Sequence, residues 1–268
     1  MTTRLDETRS LHREAALRHG IPPRDVDLFL GDLLGKPLSW LLAHGDQPLD
    51  PAPLEALLAR RYAGEPLQYI RNRTEFFGRD FYLDGRVLIP RPETEILVET
   101  AIARAPRGCR LADLGTGSGC VAIAIAKERP DLRVTALDVS VAALAVARRN
   151  RDQLAAPVTL VASNLLAATR RPFEALVSNP PYIAEEELAT LAPEVRDHEP
   201  RVALTPGPTG FETIERIFGQ AGTALVIIEI GFGQLAQVRN ITAAHHFRID
   251  AVVDDLAGIP RVVVSSPA

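Results

Sequence analysis

Four short groups of residues have the types and spacing to do chemistry together. The first is Asp113-Leu114-Gly115-Thr116-Gly117-Ser118-Gly119, an acid followed by three alternating glycines and then an apolar run. Glycines in that pattern let the main chain turn sharply and let a ligand come close to it, and amides at the start of a helix attract a carboxylate or another anion. About twenty residues on stands Asp138, placed to accept hydrogen bonds from a ribose diol. The third group, Asn164-Leu165, follows another candidate strand and offers a side-chain amide oxygen as an acceptor. The fourth is Asn179-Pro180-Pro181-Tyr182. Neither proline carries an N–H, so the Asn179 side-chain oxygen and the Pro180 carbonyl are acceptors with little local competition. Two acceptors fix a planar NH₂ group, and the Tyr182 ring can stack on its plane. Each group also has a structural reading taken singly: a tight turn, a helix cap, a rigid Asn-Pro and Pro-Pro turn.

Such groups need a scaffold that brings them together. After Pro92 the chain alternates strand-like and helix-like segments, which predicts a doubly wound α/β domain, a parallel sheet with helices on both faces. Candidate strands are Arg110 to Leu114, Arg133 to Leu137, Val158 to Ala162, Ala175 to Ser178, Ala224 to Ile230 and Arg261 to Val264. Candidate helices include Cys120 to Arg129, Val141 to Asn150 with Ser140 as cap, and Gly233 to Thr242. Ligands in such sheets bind beyond the carboxyl ends of the strands, where strand order reverses. All four groups follow or end a candidate strand.

Before Pro92 the pattern differs. From Leu5 to about Tyr62, leucines recur at helical spacing, as in Leu28, Leu30, Leu33 and Leu34 and then Leu38, Leu41 and Leu42, punctuated by prolines that start helices and turns. This predicts a small helical domain over 1–75. Short alternation from Phe76 to Ile89, with Asp84-Gly85 as a turn signal, predicts a β-hairpin linker over 76–90. The α/β domain then occupies 91–268.

The whole chain has 268 residues, 46% hydrophobic and 24% charged, an ordinary globular mix. Thirty basic against thirty-four acidic side chains give a net charge of −4, the wrong sign for a protein whose main task is gripping phosphate backbone. No direct nucleic-acid partner is therefore expected. Two cysteines, Cys109 and Cys120, show no metal-binding pattern and read as reduced structural thiols in a cytoplasmic protein. No apolar run approaches the ~20 residues that span a bilayer, and the start of the chain is charged, so neither a membrane nor a signal peptide is expected. The six histidines have no defensible partner spacing, and no heptad appears, so a monomer without metal is expected.

The glycine loop is not the G-x-G-x-x-G of dinucleotide folds, because the position three beyond Gly117 is Cys120. Its G-x-G-x-G form after an acid resembles the first motif of class I S-adenosylmethionine-dependent methyltransferases. A wider set of segments narrows the resemblance. Gly64-Glu65-Pro66-Leu67-Gln68-Tyr69-Ile70, Phe76-Phe77-Gly78, and the run from Val87 through Arg91-Pro92-Glu93-Thr94-Glu95 come first. Glu194-Val195, Glu199-Pro200, Ala203-Leu204, Glu229-Ile230-Gly231 with Gln234, and Asp255-Leu256-Ala257-Gly258 with Arg261 follow. In this order they are similar to the release factor glutamine methyltransferases, the PrmC/HemK family, from about Pro66 to Val264.

The resemblance implies transfer of a methyl group from S-adenosyl-L-methionine, leaving S-adenosyl-L-homocysteine. The acceptor would be the N5 amide nitrogen of the glutamine in the Gly-Gly-Gln loop of class 1 peptide chain release factors, with the helical domain helping to hold that protein. It implies that Asn179, Pro180, Pro181 and Tyr182 hold the glutamine amide. Gly115, Thr116, Gly117, Ser118, Gly119, Asp138, Asn164, Leu165 and Asn179 would hold the cofactor. The Arg91-to-Thr94 segment would close over the site, unless Pro92 and the acids after it only start a helix. The family's Gly-Asp-Gly is replaced here by Thr209-Gly210, so nothing is assigned to that loop. An adenine-N6 methyltransferase, a silent nucleoside-binding module and a nicotinamide oxidoreductase are the competing classes. The first would need a basic target-reading surface, the second a damaged motif, and the third a glycine at Cys120.

Overall fold

The computed structural model describes residues 2–170, 172–222 and 224–268. By contacts the chain forms two units, one of residues up to Asn72 together with Pro193–His198, the other of Arg73–Ala192 together with Glu199–Ala268.

The first unit is helical. β1 (Thr3–Arg4) pairs with β2 (Pro48–Leu49), and around them lie α1 (Leu5–Arg18), α2 (Pro23–Leu34), α3 (Leu38–Ala43), α4 (Ala52–Tyr62), α5 (Leu67–Arg71) and α9 (Pro193–His198). Proline sits where its missing N–H costs nothing: it opens α2 and immediately precedes α3 and α5. Val26, Phe29, Leu30, Leu41, Leu54 and Leu58 form the core, whereas Leu33, Leu38 and Leu42 of the same leucine pattern are exposed. Buried Arg61 is held by Asp25 at 2.9 Å and by Glu194 of α9 at 2.8 Å, so its charge is paired twice where an unpaired one would be costly.

The second unit opens with a hairpin, displaced from the expected position. Its strands are β3 (Thr74–Phe76) and β4 (Arg79–Phe81), and its turn is Phe77-Gly78, both with positive φ (50° and 68°). That is the pattern of a two-residue primed turn, whose twist matches the strands. Asp84-Gly85 forms a separate turn, closed by the Val87 N–H on the Asp84 carbonyl. Glu95, read as a helix-start acid, accepts from the Phe77 N–H at 2.7 Å and pins the hairpin turn.

Seven strands form the main sheet: β5 (Arg110–Leu114), β6 (Arg133–Asp138), β7 (Val158–Ala162), β8 (Ala175–Ser178), β9 (Leu225–Glu229), β10 (Phe247–Asp254) and β11 (Pro260–Pro267), in the order β10-β11-β9-β8-β5-β6-β7. Five pair in parallel, and β11 pairs antiparallel with β9 and β10. The sheet is therefore mostly parallel, and β10 is a strand beyond the six expected. Alternate residues of each buried strand serve opposite faces. Ala175, Val177, Ile227, Val262 and Val264 pack with α6 (Thr94–Arg104) and α7 (Cys120–Glu128). Leu176, Val226, Ile228 and Val263 pack with α11 (Glu212–Gln220) and α12 (Leu235–Ala244). α8 (Val141–Gln153) is capped by Ser140, whose hydroxyl accepts from the Ala143 N–H at 3.1 Å. α10 (Arg201–Leu204) is a single turn. Strand order reverses between β5 and β8, which opens a crevice at their carboxyl ends.

Candidate functional site

Register places the chemical groups in one row. Asp138 pairs with Ala162, and Leu137 with Leu114; Asp113 pairs with Val177, and Ser178 with Ile228. One step further along the strands come Gly115, Asn179 and Glu229, side by side. The Ser178 hydroxyl fastens the middle of this row by donating to the Leu114 carbonyl at 2.7 Å.

The glycine loop begins with two bonds to β6, from the Gly115 N–H at 2.8 Å and the Thr116 N–H at 3.0 Å to the Leu137 carbonyl. Asp113 is buried and accepts from the Thr116 hydroxyl at 2.6 Å. Burial pushes its carboxyl up to about 7, against the Thr116 hydroxyl and the Ala122 N–H, which favour the ionised form. Gly119 has φ 82°, and a Cβ there would lie 3.2 Å from both Ala147 Cβ and Ile123 Cδ1, so the close passage of α7 and α8 requires glycine. Asn150, fully buried, secures the same loop from α8. Its NH₂ donates to the Ser118 carbonyl at 2.9 Å and to the Tyr82 carbonyl at 3.0 Å, and its oxygen accepts from the Tyr82 N–H at 2.7 Å.

Asp138 ends β6 and braces the loop. One carboxylate oxygen accepts from the Gly117 N–H at 2.9 Å, the other from the Ser140 N–H at 2.8 Å. Burial raises its pKa, and those two amides oppose the rise. Each oxygen keeps acceptor capacity for a further donor. Asn164 stands at the end of the row, where its oxygen accepts from Arg216 at 2.6 Å.

A cavity of about 250 Å³ runs along the row, lined among others by Gly115, Gly117, Asp138, Asn164, Leu165, Asn179 and Pro181. A smaller one of about 50 Å³ continues it past Gly115, Thr116, Gly117, Ser118 and Asn179 towards Thr94. Gly119, Pro180 and Tyr182 line neither. Pro180 is buried, and Tyr182 is half-buried with its hydroxyl pushed up to about 12 by burial and then by the nearby Glu229 charge. The Tyr182 carbonyl accepts from Gln234 at 2.8 Å, and Gln234 in turn accepts from the Gly231 N–H at 2.8 Å. Gly210, to which sequence assigned nothing, approaches so closely that a Cβ would sit 2.6 Å from the Tyr182 carbonyl oxygen. The opposite wall is tied by buried Glu199, which accepts from Arg91 at 2.5 Å and from the Ile89 N–H at 3.3 Å. Sequence reasoning missed Asn150 altogether. A polar residue three beyond Ala147 on the buried side of α8 was the available signal.

The donor set contains lone-pair acceptors and backbone amides. Among the described residues, no group of His, Cys, Asp and Glu could hold a metal ion, both cysteines are free and buried, and no helix is long and apolar enough to cross a membrane. The row suits a small organic ligand with hydroxyl and amino groups.

The Methyltransferase small domain matches residues 92–196, and the PrmC N-terminal domain matches residues 5–71. A release factor glutamine methyltransferase of Koribacter versatilis is 40% identical over 91% of this chain and 90% of its own length. The chain belongs to the release factor glutamine methyltransferase family. A second member, from Chlorobaculum tepidum, is 41% identical over 87% of this chain and 86% of its own. A methyltransferase structure from Pyrococcus furiosus shares the fold at a TM-score of 0.55 and 14% identity, covering 79% of this chain and 96% of that one. The chain accordingly carries a methyltransferase domain with the class I fold, preceded within the chain by a PrmC N-terminal domain.

Proposed function

We propose that the chain methylates the side-chain amide of the glutamine in the Gly-Gly-Gln loop of class 1 release factors, with S-adenosyl-L-methionine as donor. The observation that carries this reading is the register that sets Asn179 beside the glycine loop, where both border the same cavity. The residues present fit the donor. A Cβ built at Gly115 or Gly117 meets nothing within 4 Å, so these positions leave open the space that a side chain would fill. In this reading the amino-acid end lies in the smaller cavity by the loop amides, the ribose hydroxyls bond the free acceptor capacity of Asp138, and the adenine lies by Asn164 and Leu165. With the Asn164 oxygen already accepting from Arg216, its NH₂ is the group left to meet a ring nitrogen.

When bound, the donor supplies a sulfonium methyl that passes to the amide nitrogen, leaving S-adenosyl-L-homocysteine and releasing one amide proton. Asn179 Oδ1 and the Pro180 carbonyl accept the two amide hydrogens and aim the nitrogen, while Tyr182 stacks on the amide plane. Catalysis then comes from positioning and from acceptors set in advance. No basic side chain is needed for attack, because the proton leaves after the new bond forms. The helical unit is proposed to hold the release factor, which fits the match of residues 5–71 to the PrmC N-terminal domain. A monomeric state and a cytoplasmic location belong to the same proposal.

The test is intact-mass measurement after incubation with S-adenosyl-L-methionine. A release factor gains one methyl mass and a DNA duplex gains none. Methylation of the duplex at a comparable rate would replace this reading with that of a nucleobase methyltransferase.

A further inference from the structure

Behind Asn179 lies a buried polar chain with no part in the reading above. The Asn179 NH₂ donates to the Thr94 hydroxyl oxygen at 3.2 Å, and the Thr94 hydroxyl lies close enough to the Glu229 carboxylate to favour its ionised form. Thr94 is the first residue of α6, and Glu229 ends β9 beside Asn179 in register. Both are 2% exposed. Glu229 Oε2 is buried with no hydrogen-bond partner among the described residues, a costly arrangement that calls for an explanation.

We propose that Thr94 and Glu229 are positioning residues that fix which way the Asn179 amide faces, turning its NH₂ inward and its oxygen towards the acceptor amide. This rests on the reading of Asn179 as an acceptor-side group. The argument is an inventory of protons. An ionised carboxylate has none to give, so the single Thr94 hydroxyl proton goes to Glu229. Only lone pairs then remain on the Thr94 oxygen, and the end of Asn179 that meets it must be the NH₂. The two ends of an amide differ little in size and shape, so packing alone would not choose between them. With Asn179 reversed, its NH₂ would meet the substrate NH₂, donor against donor, and the amide nitrogen would lose its aim.

The direction is enforced only while Glu229 is ionised. Once protonated, Glu229 can donate to Thr94, whose hydroxyl proton is then free to turn towards Asn179. Glu229 faces Thr94 of α6, Arg91 and Glu93 just before that helix, Tyr182 after β8, and Arg261 of β11. Arg91 and Arg261 favour the ionised form and Glu93 disfavours it. Burial outweighs them and holds the carboxyl at about 7. Arg91 and Arg261 are themselves engaged by Glu199 at 2.5 Å and Asp255 at 2.9 Å.

Thr94→Val, Thr94→Ser and Glu229→Gln test the proposal in the full chain. Methyl transfer to a release factor is followed at saturating S-adenosyl-L-methionine from about pH 5.5 to 8.5, with cofactor affinity measured separately by calorimetry. Thr94→Val is expected to lower kcat about 10- to 100-fold with cofactor Kd changed less than about twofold, and Thr94→Ser to recover to within about threefold of wild type. The wild type shows an acid limb in kcat that follows the Glu229 titration, and Glu229→Gln lacks it. In ¹⁵N spectra the Asn179 side-chain NH₂ resonance shifts with the same titration in the wild type and not in Thr94→Val. Equal kcat in Thr94→Val and Thr94→Ser, or an acid limb that survives Glu229→Gln, would overturn the proposal. Absence of glutamine methylation by the wild type would instead overturn the function, and the Asn179 resonance would still decide the positioning claim.

Discussion

Replacing Asn150 with leucine should damage both the stability of the α/β unit and its glycine loop. Leucine matches asparagine closely in shape but removes three hydrogen bonds at a fully buried side chain. The Ser118 carbonyl bond is wholly buried, so that oxygen is left without a partner, at about 1–3 kcal/mol. The two Tyr82 groups are partly buried and can regain water, so each loses only the net worth of a hydrogen bond, about 1 kcal/mol. The sum is about 3–5 kcal/mol. For a unit of this size, roughly 2–4 °C of Tm follows each kcal/mol, which gives a fall of about 6–20 °C. The freed Ser118 carbonyl lets the loop shift, so S-adenosyl-L-homocysteine should bind about tenfold more weakly, equivalent to about 1.4 kcal/mol. Calorimetric unfolding and isothermal titration read the two effects. A Tm within about 2 °C of wild type, less than the change for 1 kcal/mol, together with unchanged affinity, would refute the assignment of Asn150 as the loop's anchor.

Three further outcomes follow from the site. Asn179→Ala should keep cofactor affinity within about threefold and lower kcat by about 10² or more, the scale for a lost oriented polar group; Asp138→Ala should do the reverse, weakening cofactor binding while residual turnover still saturates, and titration with kinetics separates the two. Asp113 is raised to about 7 when folded from an ordinary value of 3.8, so the folded state holds the proton longer and its contribution to stability falls as pH rises through that window; Asp113→Asn should flatten that fall, and denaturation midpoints that vary with pH in parallel for both proteins would remove the carboxyl from the balance. Gly119→Ala should cost about 1–2 kcal/mol from the left-handed backbone alone, with further loss from the contact on Ala147, and a denaturant midpoint equal to wild type would contradict the close packing of α7 on α8.

The parts of the molecule that local sequence specifies were legible. β5, β7 and β8 run between the expected residues, because short runs rich in apolar residues and bounded by turn residues mark strands locally. The glycine loop was visible because its turn chemistry is local. What depended on pairing over distance was not. β10 mixes polar and apolar residues as an edge strand can and is defined by its partner β11, with shifts of register after Ile249 and Val253. The hairpin turn fell at Phe77-Gly78 although Asp84-Gly85 carries the stronger turn dipeptide, because Glu95, far along the chain, holds the Phe77 N–H. Leu33, Leu38 and Leu42 follow the helical period yet lie on the surface, since periodicity assigns a face without fixing its limits. In the site, Asn164 was read as an acceptor, and only the fold could show Arg216 already on that oxygen. The relation of Thr94 to Glu229 was likewise hidden, since β9 meets Asn179 only through the sheet.

The central claim is that the Asn179-to-Tyr182 segment presents a protein glutamine to the donor's methyl group. Peptide mass spectrometry of a class 1 release factor, after incubation with the chain and S-adenosyl-L-methionine, tests it most directly. The account predicts a single methyl on the glutamine of the Gly-Gly-Gln loop, absent when Asn179→Ala replaces the wild type. A methyl on any other residue, or on that glutamine at an undiminished rate with Asn179→Ala, would contradict it.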